Sequence, residues 1–200
     1  MFSIKPTAPA SYCYVGFALL MFVLGIYGDV LNPVLRYQRA DVSAGQWWRI
    51  ASSSIVHLGV YHMLVNQLGL LLWQVLFAWR YSAALWFTLV LSTSIAGGVM
   101  LHLMASPLEF YAGFSGVLHG LIAFSALRDS RRGRLNVFMF LGLWAKVLYE
   151  QMPAHGAHFL EAHMHAPVIV DAHLYGAIYG TGLALTIAVY RRLKGEFVAG

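Results

Sequence analysis

Three short stretches of this chain place proton-transfer and nucleophilic side chains in otherwise apolar surroundings. YAGFSGVLHG, residues 111–120, sets Ser115 four residues before His119, framed by Gly113, Gly116 and Gly120. HLGVYHMLVN, residues 57–66, carries His57, His62 and Asn66. Further on, His173 precedes Gly176 and Gly180. Hydrolysing an amide needs a nucleophile, a base for its proton and donors for the oxyanion. Ser115 supplies a hydroxyl, His173 an imidazole, and His62 and Asn66 supply N–H donors. Taken alone, Ser115 is better explained as a small residue that lets helices pack, so the elements around it must decide.

Of the 200 residues, 60% are hydrophobic and 10% charged, which is not the balance of an ordinary soluble chain. Apolar runs near membrane-spanning length recur near 12–30, 54–78, 83–105, 114–127, 135–151 and 169–190. These predict an all-α, polytopic membrane protein of six helices, with residues 1–200 as a single transmembrane domain. The first run lacks a small-x-small cleavage site after it and is read as a retained span. Cys13, the only cysteine, excludes an intrachain disulfide.

Basic residues set the expected orientation. With the N-terminus cytoplasmic, inner segments hold Lys5, Arg80, Arg128, Arg131, Arg132, Arg134, Arg191, Arg192 and Lys194, against Arg36, Arg39 and Arg49 outside. The sequence pI near 9.5 then reports loops facing anionic lipid, not a nucleic-acid partner.

Depth follows from the helical rise of about 1.5 Å per residue and a hydrocarbon core of about 30 Å. The fourth run is too short to cross. Ser115 lies 13 residues from Arg128, which places it roughly 20 Å above the inner edge. The backbone around Pro107 to Gly113 must therefore dip into the membrane, which is tolerated only beside protein or a wet cavity. Asn66, 14 residues from Arg80, comes out level with Ser115, with His62 one turn above it and His57 higher still. His173, 18 residues from Arg191, sits somewhat higher. Polar groups at such depth are functional candidates by default. The stripes Gly116/Gly120 and Gly176/Gly180 would let the fourth and sixth helices approach closely.

The chemistry this permits is a Ser115–His173 dyad, with His62, Asn66 and the Ser115 amide as oxyanion donors and the helix N-terminus adding its dipole. No acidic third member stands out; Asp171 falls on a different face from His173 and reads as a cap or surface residue. No cofactor or metal is required.

At this point the chain resembles the rhomboid intramembrane serine proteases over nearly its whole length. Trp48-Arg49 matches the Trp-Arg of the family's first outer loop, followed by His57, His62 and Asn66, then Gly113-Phe114-Ser115-Gly116, then Ala172, His173, Gly176 and Gly180. The resemblance implies a six-helix rhomboid-like bundle, Ser115 as nucleophile, His173 as base, and His62, Asn66 and the Ser115 amide as the oxyanion hole. It implies a mobile fifth helix as the substrate's lateral route, a membrane-anchored protein substrate, and an active site opening to the outer side of a bacterial cytoplasmic membrane. One departure stands out: where many rhomboids carry a tyrosine four residues after the serine, this chain has His119. GFSGVLHG and the minimal length look most like the rhombosortase subfamily. That likeness implies cleavage of Gly-Gly-containing C-terminal anchors, with possible transfer to an amine.

Three features stand outside this frame. His119 is read as a packed supporting residue, alongside His57, Gly113, Gly116 and Gly176. Lys146 and Glu150, i and i+4 on the fifth helix, read as an intrahelical ion pair with substrate recognition at the gate as the alternative. HGAHFLEAHMHAP, residues 155–167, holds His155, His158, Glu161, His163 and His165. This segment supports the rival reading of a membrane metal sensor or transporter.

Overall fold

In the computed structural model, residues 9–152 and 168–195 are described. Helix α1 (Pro9–Ile26) leads into α2 (Gly28–Leu35). A two-residue strand β1 (Tyr37–Gln38) and short helices α3 (Arg39–Ser43) and α4 (Arg49–Ser52) follow. The long helices are α5 (Val60–Leu76), α6 (Ala83–Met104), α7 (Ser115–Arg128), α8 (Arg134–Glu150) and α9 (Val170–Leu193), with strand β2 (Phe110–Tyr111) just before α7. β1 and β2 pair antiparallel, Tyr37 opposite Tyr111. The chain is thus mostly helical. Helices α6 and α9 are each long and apolar enough to cross a membrane, and α1 with α2 is a third, bent candidate.

The outward faces agree with a lipid setting. Leu64, Leu68, Leu72 and Val75 on α5, Phe87 and Leu91 on α6, and Leu185 and Val189 on α9 are all exposed. An apolar surface this continuous belongs in lipid or against another apolar surface.

Two of the expected spans differ in detail. The run over 12–30 is broken, because α1 stops at Ile26 and the chain turns by 105° into α2. The polar Asn32 holds α2 in place after the turn: its side-chain amide donates to the His57 carbonyl at 2.8 Å, anchoring α2 across the loop before α5. The run over 54–78 becomes helical only at Val60, after Gly59 at φ +87°. The loop before it is tied inward, with the Ser54 hydroxyl donating to Ser94 Oγ at 3.0 Å.

Helix α7 is the buried centre, touching α5, α6, α8 and α9. Nine of its 14 residues are buried, and at about 1.5 Å per residue it spans roughly 21 Å, short of the ~30 Å core. The backbone ahead of it is irregular and enclosed by protein: Tyr111, Ala112, Gly113 and Phe114 are all buried. That enclosure satisfies the polar backbone in two places. Gly113 N–H donates to the Ser53 carbonyl at 2.9 Å, and Tyr111 donates its hydroxyl to the Gly113 carbonyl at 2.6 Å.

Side chains fix the ends of the bundle. Arg80 and Asp129 form a 2.6 Å ion pair with Asp129 buried, so the C-terminal ends of α5 and α7 lie together. At the other end, Arg39 reaches the carbonyls of Leu101, His102, Ala105 and Leu108, satisfying the last turn of α6 and the loop beyond. Arg49 donates to the carbonyls of Pro33 and Arg36 and pairs with Asp41. His102 bonds the Tyr37 hydroxyl, and burial pushes that phenol's pKa up, keeping it neutral.

Candidate active site

Glycines bring α7 and α9 together. A Cβ on Gly116 would lie 2.8 Å from the Ala172 carbonyl oxygen, and one on Gly120 would lie 2.7 Å from that of Gly176. A Cβ on Gly176 would overlap the Gly116 carbonyl, and one on Gly180 that of Gly120. The two small-residue stripes therefore face each other, backbone against backbone. At the top of this contact, Ser115 Oγ and His173 Nε2 are 2.9 Å apart.

Ser115 is the first residue of α7, where the first N–H groups lack partners within the helix. Gly113 two residues earlier holds φ +140°, a conformation that side chains rarely adopt. A Cβ there would also stand 2.8 Å from His62 Nε2. His62 Nδ1 accepts from the Leu58 N–H at 3.4 Å, so Nε2 carries the ring hydrogen and faces the turn before Ser115. Asn66 is buried and donates one amide hydrogen to the His62 carbonyl at 2.9 Å. A recess of about 30 Å³, lined by Leu58, His62, Phe110, Tyr111, Ala112, Ser115, Val168 and Ile169, opens beside the serine. His57 packs edge-on against His62, and both its ring nitrogens are buried without a hydrogen-bond partner among the described residues.

The structure gives His173 an acidic neighbour that did not stand out in the sequence. Glu150 Oε2 sits 2.9 Å from His173 Nδ1, across from α8. Helix periodicity relates Glu150 only to Lys146, and so reads it as one half of an intrahelical pair with substrate recognition at the gate as the alternative. Its approach to His173 depends on how α8 packs against α9, which spacing along one helix does not carry. The ion pair exists too, with Lys146 Nζ 2.6 Å from Glu150 Oε1. Asp171 lies in the first turn of α9 and is half-buried, with Ile169 at the N-cap position.

His119 joins the same group. Its ring stacks on that of His173, with centroids 4.1 Å apart and planes 14° from parallel. His119 Nδ1 is 2.7 Å from the Ser115 carbonyl, and Nε2 is 3.1 Å from Lys146 Nζ. A carbonyl only accepts and an ammonium only donates, so Nδ1 is protonated and Nε2 accepts. Both nitrogens of His119 are committed. The same logic protonates His173 at Nδ1, facing the Glu150 carboxylate, and leaves Nε2 to accept from the serine hydroxyl.

The ligand-type atoms of His119, Glu150 and His173 lie within 4.8 Å of one another, a separation that suits a metal ion. Lys146 already places its ammonium against His119 and Glu150, giving the trio a cation. The histidine-rich segment 155–167 lies outside the described residues.

Ser115 and His173 thus pair at the mouth of a short central helix within an apolar helical bundle. The rhomboid domain family matches residues 44–190, nearly three quarters of the chain. The chain belongs to the rhomboid family. Among curated proteins, rhomboid protease GluP of Bacillus subtilis (strain 168) is 28% identical over 126 residues, 59% of this chain and 24% of that protein. The chain spans about a quarter of that relative's length.

Proposed function

We propose that this protein is an intramembrane serine endopeptidase that cleaves membrane-anchored proteins at or near their anchor. Ser115 Oγ attacks the scissile carbonyl as its proton passes to His173 Nε2. The imidazolium then gives that proton to the leaving amine, and water resolves the acyl-enzyme by the same steps in reverse. The Ser115 amide, His62 Nε2–H and the second amide hydrogen of Asn66 hold the oxyanion. His57, Gly113, Gly116, His119 and Gly176 support this group. The observation that carries the reading is the 2.9 Å approach of Ser115 Oγ to His173 Nε2. Membership of the rhomboid family and likeness to a relative named as a rhomboid protease add to it.

The substrate reading is narrower: a single-span anchor cut beside glycines, as in rhombosortases. The recess beside Ser115, at about 30 Å³, has room for about two water molecules and none for a bulky side chain. The single domain sits with six spans in a bacterial cytoplasmic membrane, N-terminus inside and the Ser115 end outward.

The test is cleavage, in liposomes, of a protein bearing a Gly-Gly-containing C-terminal anchor. Ser115→Ala and His173→Ala should be folded and silent, and chelator should leave the parent unaffected. Cleavage by Ser115→Ala would sink the reading, and loss of parental activity on chelation would turn attention to metal and to segment 155–167.

A further inference from the structure

We infer that Glu150 is the positioning residue of the base, lent by α8 and itself held in place by Lys146 and His119, so that the site works as a Ser–His–Glu triad. The inference rests on the proposed protease reading.

An ion pair alone does not account for Glu150. A surface i, i+4 pair leaves the carboxylate's second oxygen in solvent. Here the two oxygens are divided: Oε1 takes Lys146 and Oε2 takes His173 Nδ1. The side chain of Glu150 is 9% exposed where that of Lys146 is 48% exposed, so the carboxylate is drawn inward and the ammonium is not. A carboxylate is costly to bury unless each oxygen has a strong partner. Both partners are present, and one of them is the base.

The geometry closes a ring. Ser115 Oγ meets His173 Nε2; His173 Nδ1 meets Glu150; Glu150 meets Lys146; Lys146 meets His119 Nε2; His119 Nδ1 returns to the Ser115 carbonyl. Glu150 thereby fixes the tautomer that leaves Nε2 free to take the serine proton. The stacked ring of His119 fixes the plane in which Nε2 points. When the serine proton reaches Nε2, the positive charge on the imidazolium faces the carboxylate. The proton on Nδ1 stays there, and Glu150 remains ionised throughout. Lys146 balances the carboxylate in the resting state.

Wrong-tautomer losses in serine hydrolases run to about 10⁴-fold, so Glu150→Gln should slow the chemical step by about 10²–10⁴-fold, the lower end applying where the amide turns its oxygen to Nδ1. Two readouts separate positioning from structure. One is cleavage, with kcat falling and KM changing by no more than a few fold. The other is the rate at which a fluorescent fluorophosphonate labels Ser115, which needs no protein substrate. Glu150→Gln leaves Lys146 unpaired and threatens folding, so the decisive variant is the double Lys146→Met, Glu150→Gln, which restores charge balance. Expected results are a parental melting temperature for the double variant with labelling still at least about 100-fold slow, and a smaller loss for Lys146→Met alone. Glu150→Asp should recover part of the rate.

Parental labelling in the double variant would overturn the inference and leave the protease reading standing. Equal losses in Lys146→Met and Glu150→Gln, both cured in the double, would do the same. Failure of the parent to label at Ser115 would remove the protease reading itself, and the inference with it.

Discussion

The backbone of Gly176 passes so close to that of Gly116 that a methyl group on Gly176 would overlap the Gly116 carbonyl oxygen. This contact sets the distance between α7 and α9, and with it the distance between Ser115 and His173, which stand one and three residues away along those helices. Gly176→Ala must push the helices apart. Overpacking of this kind costs about 1–3 kcal/mol, and a displacement near 1 Å at reacting groups costs about 10²-fold in rate. Both a lowered melting temperature and a rate loss of that order are expected. Gly182→Ala, on the same helix in open space, should leave both at the parental level. Parental cleavage by Gly176→Ala would show that the helices yield without disturbing the pair.

His119 is not expected to serve as the base, because its two nitrogens are taken by the Ser115 carbonyl and Lys146. Its contribution divides into stacking and hydrogen bonding. His119→Phe keeps an aromatic face against His173 and loses the bonds; His119→Ala loses both. Activity should therefore fall in the order parent, His119→Phe, His119→Ala, with His173→Ala far below all three. A silent His119→Ala beside an active His173→Ala would reverse the assignment of the base.

These two predictions draw on different amounts of information in the sequence. The paired stripes Gly116/Gly120 and Gly176/Gly180 were legible because helical periodicity puts each stripe on one face beside its polar residue. The expectation that Asn66 and Ser115 lie level rests on their distances to Arg80 and Arg128, and the Arg80–Asp129 ion pair does place those two helix ends together. The break between α1 and α2 was not legible, since the hydrogen bond that holds α2 in its turned position runs from Asn32 to a carbonyl 25 residues away. Glu150 was missed for the same reason. Its nearest sequence partner, Lys146, explained it well enough locally, while its partner on α9 is 23 residues distant and separated by a segment with no periodic signal. Sequence spacing relates residues on one helix; which faces of two helices meet is decided by packing.

The oxyanion side of the site depends on Gly113. Its φ of +140° disfavours any side chain, and a methyl group there would press on the His62 ring. Gly113→Ala should turn the His62 Nε2–H away from the recess. The expected loss matches removal of that donor by His62→Ala, about 10²–10³-fold in kcat. The double variant should be little worse than either single one, since both remove the same hydrogen bond. Additive losses would place Gly113 and His62 in separate roles.

The proposed orientation puts the Arg80–Asp129 end of the bundle in the cytoplasm, together with Arg131, Arg132 and Arg134, and the α3–α4 segment outside. Ala44 and Arg131 are both exposed and lie at opposite ends by this reading. In a Cys13→Ser background, which removes the only native thiol, a cysteine at position 44 should react with an impermeant maleimide on intact bacterial cells whose outer membrane is permeabilised. A cysteine at position 131 should react only after lysis. The reverse pattern would turn Ser115 toward the cytoplasm. It would also count against substrates whose anchors are cut on the outer side, because the recess is lined by Phe110 and Tyr111, and β2 pairs there with β1, the strand that leads into α3.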